Sequence, residues 1–415
     1  MAQIASKAAA IQAHIQTLAI TASKLTTQVP KGETSASAEH EAVRLSLLRT
    51  LRDLKNILED PKDRSLQITL QVNQNVAIRA AIHLNIFEAL SQHDVGDGVD
   101  IDLLTKGVGE QRADIVLVER IMRVLVATDV VKEVGERKYS HTELSALYTV
   151  PAFRDAFQHS FDDMIPPLFD LPKYLTETQF RNPSDIHRGP FQHYHKTTLP
   201  YFDYVRRDPA RLAVLNSAMQ VQSYAFAESQ SAVYPWEYEL GQDVSDSEVV
   251  IVDVGGGKGQ ALEEIRKAHP GLKGRFVLQD LKGTVPEKVE TAGIEIMEYD
   301  FFKPQPVKGA RAYFFRRVLH DWPDVRCIEI LRNTASALKP GYSRILIGDV
   351  VLPARNPPLL PSLFDFNMLT VAGMERTRKQ WEELLEAAGL QIKKVWGNDG
   401  CILSIIEAVL KAESE

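Results

Sequence analysis

Cysteine is nearly absent: Cys327 and Cys401 are the only two in 415 residues. Two cannot build a disulfide framework or a four-cysteine metal site, and so few suit a reducing compartment. Glycine (23) and proline (21) are too sparse for a collagen-like or linker-dominated chain. No stretch approaches the ~18 uninterrupted apolar residues that a membrane-spanning helix needs. Met1 to Leu18 mixes Gln, Ser, Lys and His into its apolar residues, unlike the continuous core of a signal peptide. Neither sign of charge dominates, since 48 Lys and Arg face 55 Asp and Glu, and a net charge of -7 gives no global attraction to nucleic acid or anionic lipid. What is present, 44% hydrophobic and 25% charged residues, is close to the globular average. The expectation is a cytoplasmic globular protein of two or three domains, with neither a membrane nor a nucleic-acid partner.

The pattern along the chain divides it into four segments. Residues 1–62 read as a helical extension, with a stripe at Ile4, Ala8, Ile11, Ile15 and Leu18 ending before Pro30, a polar linker at Gly32 to Glu41, and a second helix carrying Leu45, Leu48, Leu51 and Leu54. Residues 63–150 read as helices followed by a hairpin, Val130 to Val134 and Tyr139 to Thr142 about a Gly135-Glu136 turn, which together suggest a winged-helix-like module. Its third helix carries Arg112, Arg120 and Arg123 but also Asp114 and Glu119, too small an excess to neutralise phosphates, so dimerisation is the favoured role. Residues 151–245 are helical, aromatic-rich and interrupted by prolines. They read as the substrate-pocket region, although most such aromatics fill core.

Residues 246–415 alternate strands and helices, as in a doubly wound α/β domain. Val249 to Val254 is a buried strand that runs into Gly255-Gly256-Gly257-Lys258-Gly259. A phosphate-cradling loop needs Ser or Thr after the lysine, and Gly259 stands there. The dinucleotide fingerprint needs a sixth-place glycine, which here is Gln260. What remains is Asp253 two residues before a flexible glycine loop, suited to a cofactor ending in a cationic amino acid. Asp280, closing the second strand, suits two ribose hydroxyls, and Asp300-Phe301 at the third strand suits an adenine edge and face. At the end of the chain, Leu390 to Trp396 and Cys401 to Val409 flank Asn398-Asp399-Gly400, so the sheet is expected to finish with a reversed edge strand. The combination points to S-adenosylmethionine.

These residues resemble the class I S-adenosylmethionine-dependent O-methyltransferases, specifically the caffeic-acid-type small-molecule family of plants and fungi. The sharpest segment is Arg316-Arg317-Val318-Leu319-His320-Asp321-Trp322-Pro323-Asp324, joined by Asp365-Phe366-Asn367-Met368-Leu369 and Gly373-Met374-Glu375-Arg376-Thr377. The resemblance runs from about Val72 to Val409. It implies that His320 is the general base, with Asp349 and Glu375 flanking and orienting it. Asp349 stands where plant relatives commonly carry Glu, and Arg316 where they often have Lys near the cofactor. The resemblance also implies cofactor contacts from Asp253, Gly255, Gly256, Gly257, Gly259, Asp280, Leu281, Asp300, Phe301 and Arg316. Met219, Asp321 and Met368 are implied around the acceptor ring, and the N-terminal module makes a homodimer.

The implied reaction is O-methylation of a phenolic or enolic hydroxyl on a small aromatic or polyketide-like metabolite, releasing S-adenosylhomocysteine and needing no metal. A phenol of pKa ~10 facing an imidazole of pKa ~6.5 leaves a gap of about 5 kcal/mol, so proton transfer to His320 should accompany methyl transfer rather than precede it. The alternative on the same scaffold is a pericyclase or decarboxylase that keeps the cofactor as a fixed charge. The intact His320-Asp321 pair argues against it.

Overall fold

The computed structural model describes residues 2–27, 38–93, 96–106, 112–221, 231–286, 293–397 and 404–411. The chain forms two compact units, Met1–Ile78 and Arg79–Glu415. In the first, helices Ala2–Thr27 and Ala38–Leu58 pack against each other. Most of the linker expected at Gly32 to Glu41 lies outside the described residues, and from Ala38 onward the chain is already helical. Helix Pro61–Leu70 follows, started by Pro61 and capped by Asp60, whose carboxylate accepts from the Lys62 amide at 2.8 Å.

The second unit opens with the helix-and-hairpin module. Strand β1 (Val99–Asp100) pairs antiparallel with β3 (Lys138–His141), which pairs antiparallel with β2 (Val131–Gly135). Asp114 caps helix Ile115–Ala127 by accepting from the Val116 and Leu117 amides, so it belongs to the helix end rather than to an exposed face. The helix buries Val118, Ile121, Met122 and Leu125, one stripe at helical spacing. Of its basic neighbours, Arg123 and Arg137 both pair with Glu119, and Arg112 pairs with Asp102.

Between residues 151 and 240 the prolines start helices rather than simply breaking them. Pro151, Pro172, Pro190 and Pro209 each occupy the first turn of a short helix, where the missing amide hydrogen costs nothing. Met164, Phe191, Tyr201, Val205 and Leu215 form a small core with Val371, so much of the aromatic content is packing. Tyr224 and Phe226 lie outside the described residues.

Seven strands form the main sheet. In chain order they are β4 (Val249–Val254), β5 (Arg275–Asp280), β6 (Ile294–Glu298), β7 (Ala312–Arg316), β8 (Arg344–Asp349), then, after the two-residue parallel pair β9 (Val351–Leu352) and β10 (Arg376–Thr377), β11 (Leu390–Trp396) and β12 (Ser404–Leu410). Their order is β11-β12-β8-β7-β4-β5-β6, and β4 to β8 are parallel. A doubly wound α/β domain with a reversed strand is therefore present, with one correction. The reversed strand is not the edge: β12 runs antiparallel between β8 and β11, and β11 is the outer strand. The reason is visible in the residues, because Ser404 to Ala408 are buried whereas β11 exposes Gln391, Lys393 and Lys394.

Burying β12 buries Glu407, which is fully enclosed. It accepts from Arg344 at 2.8 Å, Lys393 at 3.0 Å and the Trp396 indole at 3.1 Å. Lys393 sits at a β-bulge in the β11–β12 ladder. Breaking a buried pair from one side strands a charge. Arg344→Met is therefore expected to destabilise the protein by about 3 kcal/mol in urea unfolding, and the double replacement R344M/E407M by clearly less than R344M alone.

Candidate active site

Strand order reverses at β4, whose neighbours are β5 on one side and β7 on the other, and such a switch point opens a crevice at the carboxyl ends of the strands. The glycine loop leaves β4 there. The Gly255 and Gly256 amides both donate to the Gln279 carbonyl, at 2.8 and 3.1 Å, tying the loop to the end of β5. A Cβ on Gly256 would run into the Asp253 carboxylate and come within 2.6 Å of Leu278, so only glycine fits. Gly259 adopts a left-handed conformation (φ 88°) and starts helix Gln260–Ala268.

A cavity of about 580 Å³ fills the crevice, a volume that suits small-molecule ligands. Asp253, Gly255, Gly256, Gly257, Asp280, Leu281, Asp300, Phe301, Arg316, Asp321 and Met219 all line it. Neither oxygen of the fully buried Asp253 carboxylate has a hydrogen-bond partner among the described residues. Burial, opposed by Arg316 and reinforced by Asp280, pushes its pKa to about 7. An orphaned buried carboxylate beside a backbone loop fits the ammonium end of an amino-acid cofactor. Asp280 accepts from the Gly257 amide at 2.9 Å and the Leu281 amide at 2.7 Å, which leaves lone pairs for hydroxyls. Asp300 also acts as a turn former, accepting from the Phe302 amide at 3.0 Å. Beside it Phe301, Phe302 and Trp322 meet edge to face, with centroids 4.9 to 5.9 Å apart.

Two of the expected contacts are not among the residues that line the cavity. Gly259 does not line the cavity, because its backbone is spent on the helix start. Met368 does not line it either: it closes helix Leu359–Met368, where its carbonyl accepts from the Gly373 amide at 3.0 Å and turns the chain toward Glu375.

His320, Asp349 and Glu375 are not cavity-lining residues but form a buried cluster against the wall to which Arg317 and Asp321 belong. His320 lies on a tight turn after β7, in the 3-10 helix Leu319–Asp321. Its Nδ1 is 2.9 Å from Glu375 Oε1, and its Nε2 is 3.4 Å from Asp321 Oδ1. The same Glu375 oxygen accepts from Arg317 Nη1 at 3.0 Å. Burial and Arg317 work against charge on the imidazole, but Asp321 and Glu375 outweigh them and its pKa lies above the ordinary value. For Glu375 burial favours the neutral acid, and His320 and Arg317 overcome it, holding the carboxyl below its usual range. Asp349 comes within 4.8 Å of both partners but neither of its oxygens has a hydrogen bond among the described residues, and burial raises its pKa. Asp321 is likewise raised by burial, against the pull of His320 and Arg317.

Two features that sequence reasoning missed hold this cluster in place. The β9–β10 pair brings Glu375 next to the end of β8. Arg376, fully buried, grips the His320 turn through the carbonyls of Leu319 (3.1 Å) and Trp322 (2.9 Å) and binds Asp324 at 2.8 Å. A Cβ on Gly373 would collide with the His320 carbonyl, which accepts from the Met374 amide at 2.9 Å. Arg317 was visible only as the second member of an Arg doublet, and its importance depends on Glu375, 58 residues away.

Comparison with known proteins follows the same outline. The family model for the O-methyltransferase domain matches residues 179–391, and that for the O-methyltransferase dimerisation domain matches residues 66–151. The chain is 35% identical over 392 residues to an O-methyltransferase of Pestalotiopsis microspora, covering 93% of this chain and 94% of that protein. It is similar to the structure of OxaC in complex with SAH and oxaline, with 27% identity and a TM-score of 0.82 over 98% of this chain and 100% of that one. It is also similar to a structure described as a pericyclic reaction enzyme, with 27% identity and a TM-score of 0.81 over 96% and 100%. Among the described residues no helix is long and apolar enough to cross a membrane.

The charges around His320 set a titration that NMR of its ring can follow. The midpoint is expected above the ordinary 6.5, and Glu375→Gln should lower it, because burial and Arg317 are then opposed by Asp321 alone. An unmoved midpoint would separate Glu375 from the imidazole's basicity.

Proposed function

Because this chain belongs to the O-methyltransferase family, we propose that it methylates a phenolic or enolic hydroxyl of a small aromatic or polyketide-like metabolite, with His320 as general base. The observation that carries this reading is the Glu375–His320 hydrogen bond set against a cavity whose other end holds the orphaned Asp253 carboxylate and the glycine loop. S-adenosylmethionine, when bound, supplies a methyl group on a sulfonium, so the acceptor oxygen displaces a neutral thioether and needs alignment more than covalent help. Asp253 and the loop would hold its amino-acid end, Asp280 its ribose, and Asp300 and Phe301 its adenine.

The chain's own contribution is proton management. With Nδ1–H donated to Glu375, His320 presents Nε2 as an acceptor for the hydroxyl proton. Glu375, kept ionised by Arg317, then faces the imidazolium that forms, and Asp321 adds a second carboxyl on the Nε2 side. Activity should rise with pH through the raised pKa of His320, because only the neutral imidazole accepts a proton. The dimerisation domain match supports a homodimer.

Likeness to a pericyclic reaction enzyme favours a second reading, in which the cofactor is held but no methyl moves. Incubation of a hydroxylated aromatic panel with methyl-labelled cofactor, read by mass spectrometry, decides between them: a product heavier by one labelled methyl supports the first, and an isomerised acceptor without label supports the second. His320→Ala is expected to cut turnover by at least about 10²-fold while S-adenosylhomocysteine still binds in calorimetry. Gly256→Ala should do the reverse and weaken cofactor binding by about 1–3 kcal/mol through the intruding methyl.

A further inference from the structure

The cluster around His320 has a feature that methyl transfer does not use. Three carboxylate oxygens in it, Asp349 Oδ1 and Oδ2 and Glu375 Oε2, are buried and have no hydrogen-bond partner among the described residues. Ionised carboxylate oxygens only accept, so inside protein they call for a proton, a donor or a cation. The charges point the same way. Asp321, Asp349 and Glu375 gather about His320 and face one fixed cation, Arg317, whose Nη1 sits on the other Glu375 oxygen, Oε1, at 3.0 Å. Ionised together, the three carboxylates leave two negative charges beyond that guanidinium, which is the charge of one divalent ion.

The donors also converge. One atom from each of His320, Asp349 and Glu375 lies within 4.8 Å of the other two, and among the described residues no second set of three His, Cys, Asp or Glu side chains does so. His193 gives the contrast: Nδ1 is 2.7 Å from Asp170 and Nε2 is 3.0 Å from Glu177, on opposite edges of the ring, so one ion cannot join them. Zinc takes imidazole nitrogen and carboxylate oxygen at about 2.0–2.2 Å, so the donors it bridges lie at most about 4.4 Å apart. Asp349, held by no hydrogen bond among the described residues, can turn inward to close the difference. One nitrogen and two carboxylates suit zinc or a neighbouring transition ion, whereas magnesium prefers oxygen ligands and keeps much of its water. The way in is the cavity, whose wall includes Arg317 and Asp321 beside the cluster.

We propose that His320, Asp349 and Glu375 form a binding site for one divalent ion of the zinc class, and that the bound ion switches the base off. The switch rests on the methyl-transfer reading above; the site itself does not. A neutral imidazole has one nitrogen with a lone pair and one that carries hydrogen. Whichever nitrogen ligates the ion, the other carries the hydrogen, so a coordinated His320 has no lone pair left for the acceptor's proton. No bond of the substrate is made or broken by the ion, which is a competitor of the proton and not a reagent.

The test uses the full chain, free of any histidine tag and stripped with a chelator, and zinc chloride as the probe in calorimetry. One equivalent of zinc is expected to bind, and magnesium chloride at the same concentration is expected to show no such site. Asp349→Asn, which keeps the shape and removes the charge, should weaken zinc by at least about tenfold, and His193→Gln should leave it unchanged. Nitrogen NMR of the His320 ring should show one ring signal moving as zinc is added. No tight equivalent, equal affinity in D349N, or a site lost in H193Q instead would overturn the assignment, and an unmoved His320 ring would overturn the switch. S-adenosylhomocysteine uptake, measured in the same samples, reports whether each variant keeps its fold. Failure of every acceptor in the labelled panel would count against methyl transfer alone, because zinc binding and ring ligation are read without a substrate.

Discussion

A single oxygen of Glu375 accepts from both a guanidinium and an imidazole inside protein that excludes water. Removing a carboxylate from water costs several kcal/mol, and only close, well-directed donors offset that. Here His320 supplies a titrating charge and Arg317 a permanent one, and together they overcome burial and hold the carboxyl below its usual range. The neutral imidazole is thereby fixed with Nδ1 as the donor, and the protonated form is stabilised without having to form in advance. Asp349, equally buried but without a hydrogen bond among the described residues, shows the contrast: burial drives the same kind of group toward its protonated form.

The fold delivers this arrangement by bringing together carboxyl ends of strands. Asp253 follows from β4, Asp280 from β5, the Arg316 to His320 run from β7, and Asp349 from β8. Glu375 alone arrives from a loop, positioned through the two-residue β9–β10 pairing. The glycine-loop carboxylates and the His320 cluster thus sit at one end of one sheet but on different strands. That separation allows the glycine loop to be altered without disturbing the imidazole.

Much of this was legible in local sequence, because the determinants are local. An apolar run that ends in Asp-x-Gly-x-Gly-x-Gly says strand, turn and close approach to a ligand, and an acid at a strand end says the same wherever it occurs. Other local determinants were misread: Asp114 was counted as a charge carried by the helix it caps, and Pro190 and Pro209 as interruptions where they start helices. What stayed hidden depends on partners distant in the chain. Nothing near residue 404 says that its strand will lie inside the sheet, since the acceptability of Glu407 there rests on Arg344, 63 residues away. Arg317 and Arg376 look like ordinary surface arginines until Glu375 and the Leu319 and Trp322 carbonyls come into view. Met368, expected beside the acceptor, is not among the residues that line the cavity, and its carbonyl accepts from the Gly373 amide.

The grip of Arg376 on the His320 turn is made on main-chain oxygens rather than on side chains. Every amino acid presents the same carbonyl, so the grip itself does not depend on the identity of the buried side chains at positions 319 and 322. Trp322 forms part of the cavity wall. One buried arginine therefore holds the His320 turn through main-chain oxygens, whatever ring the Trp322 position offers to the cavity wall.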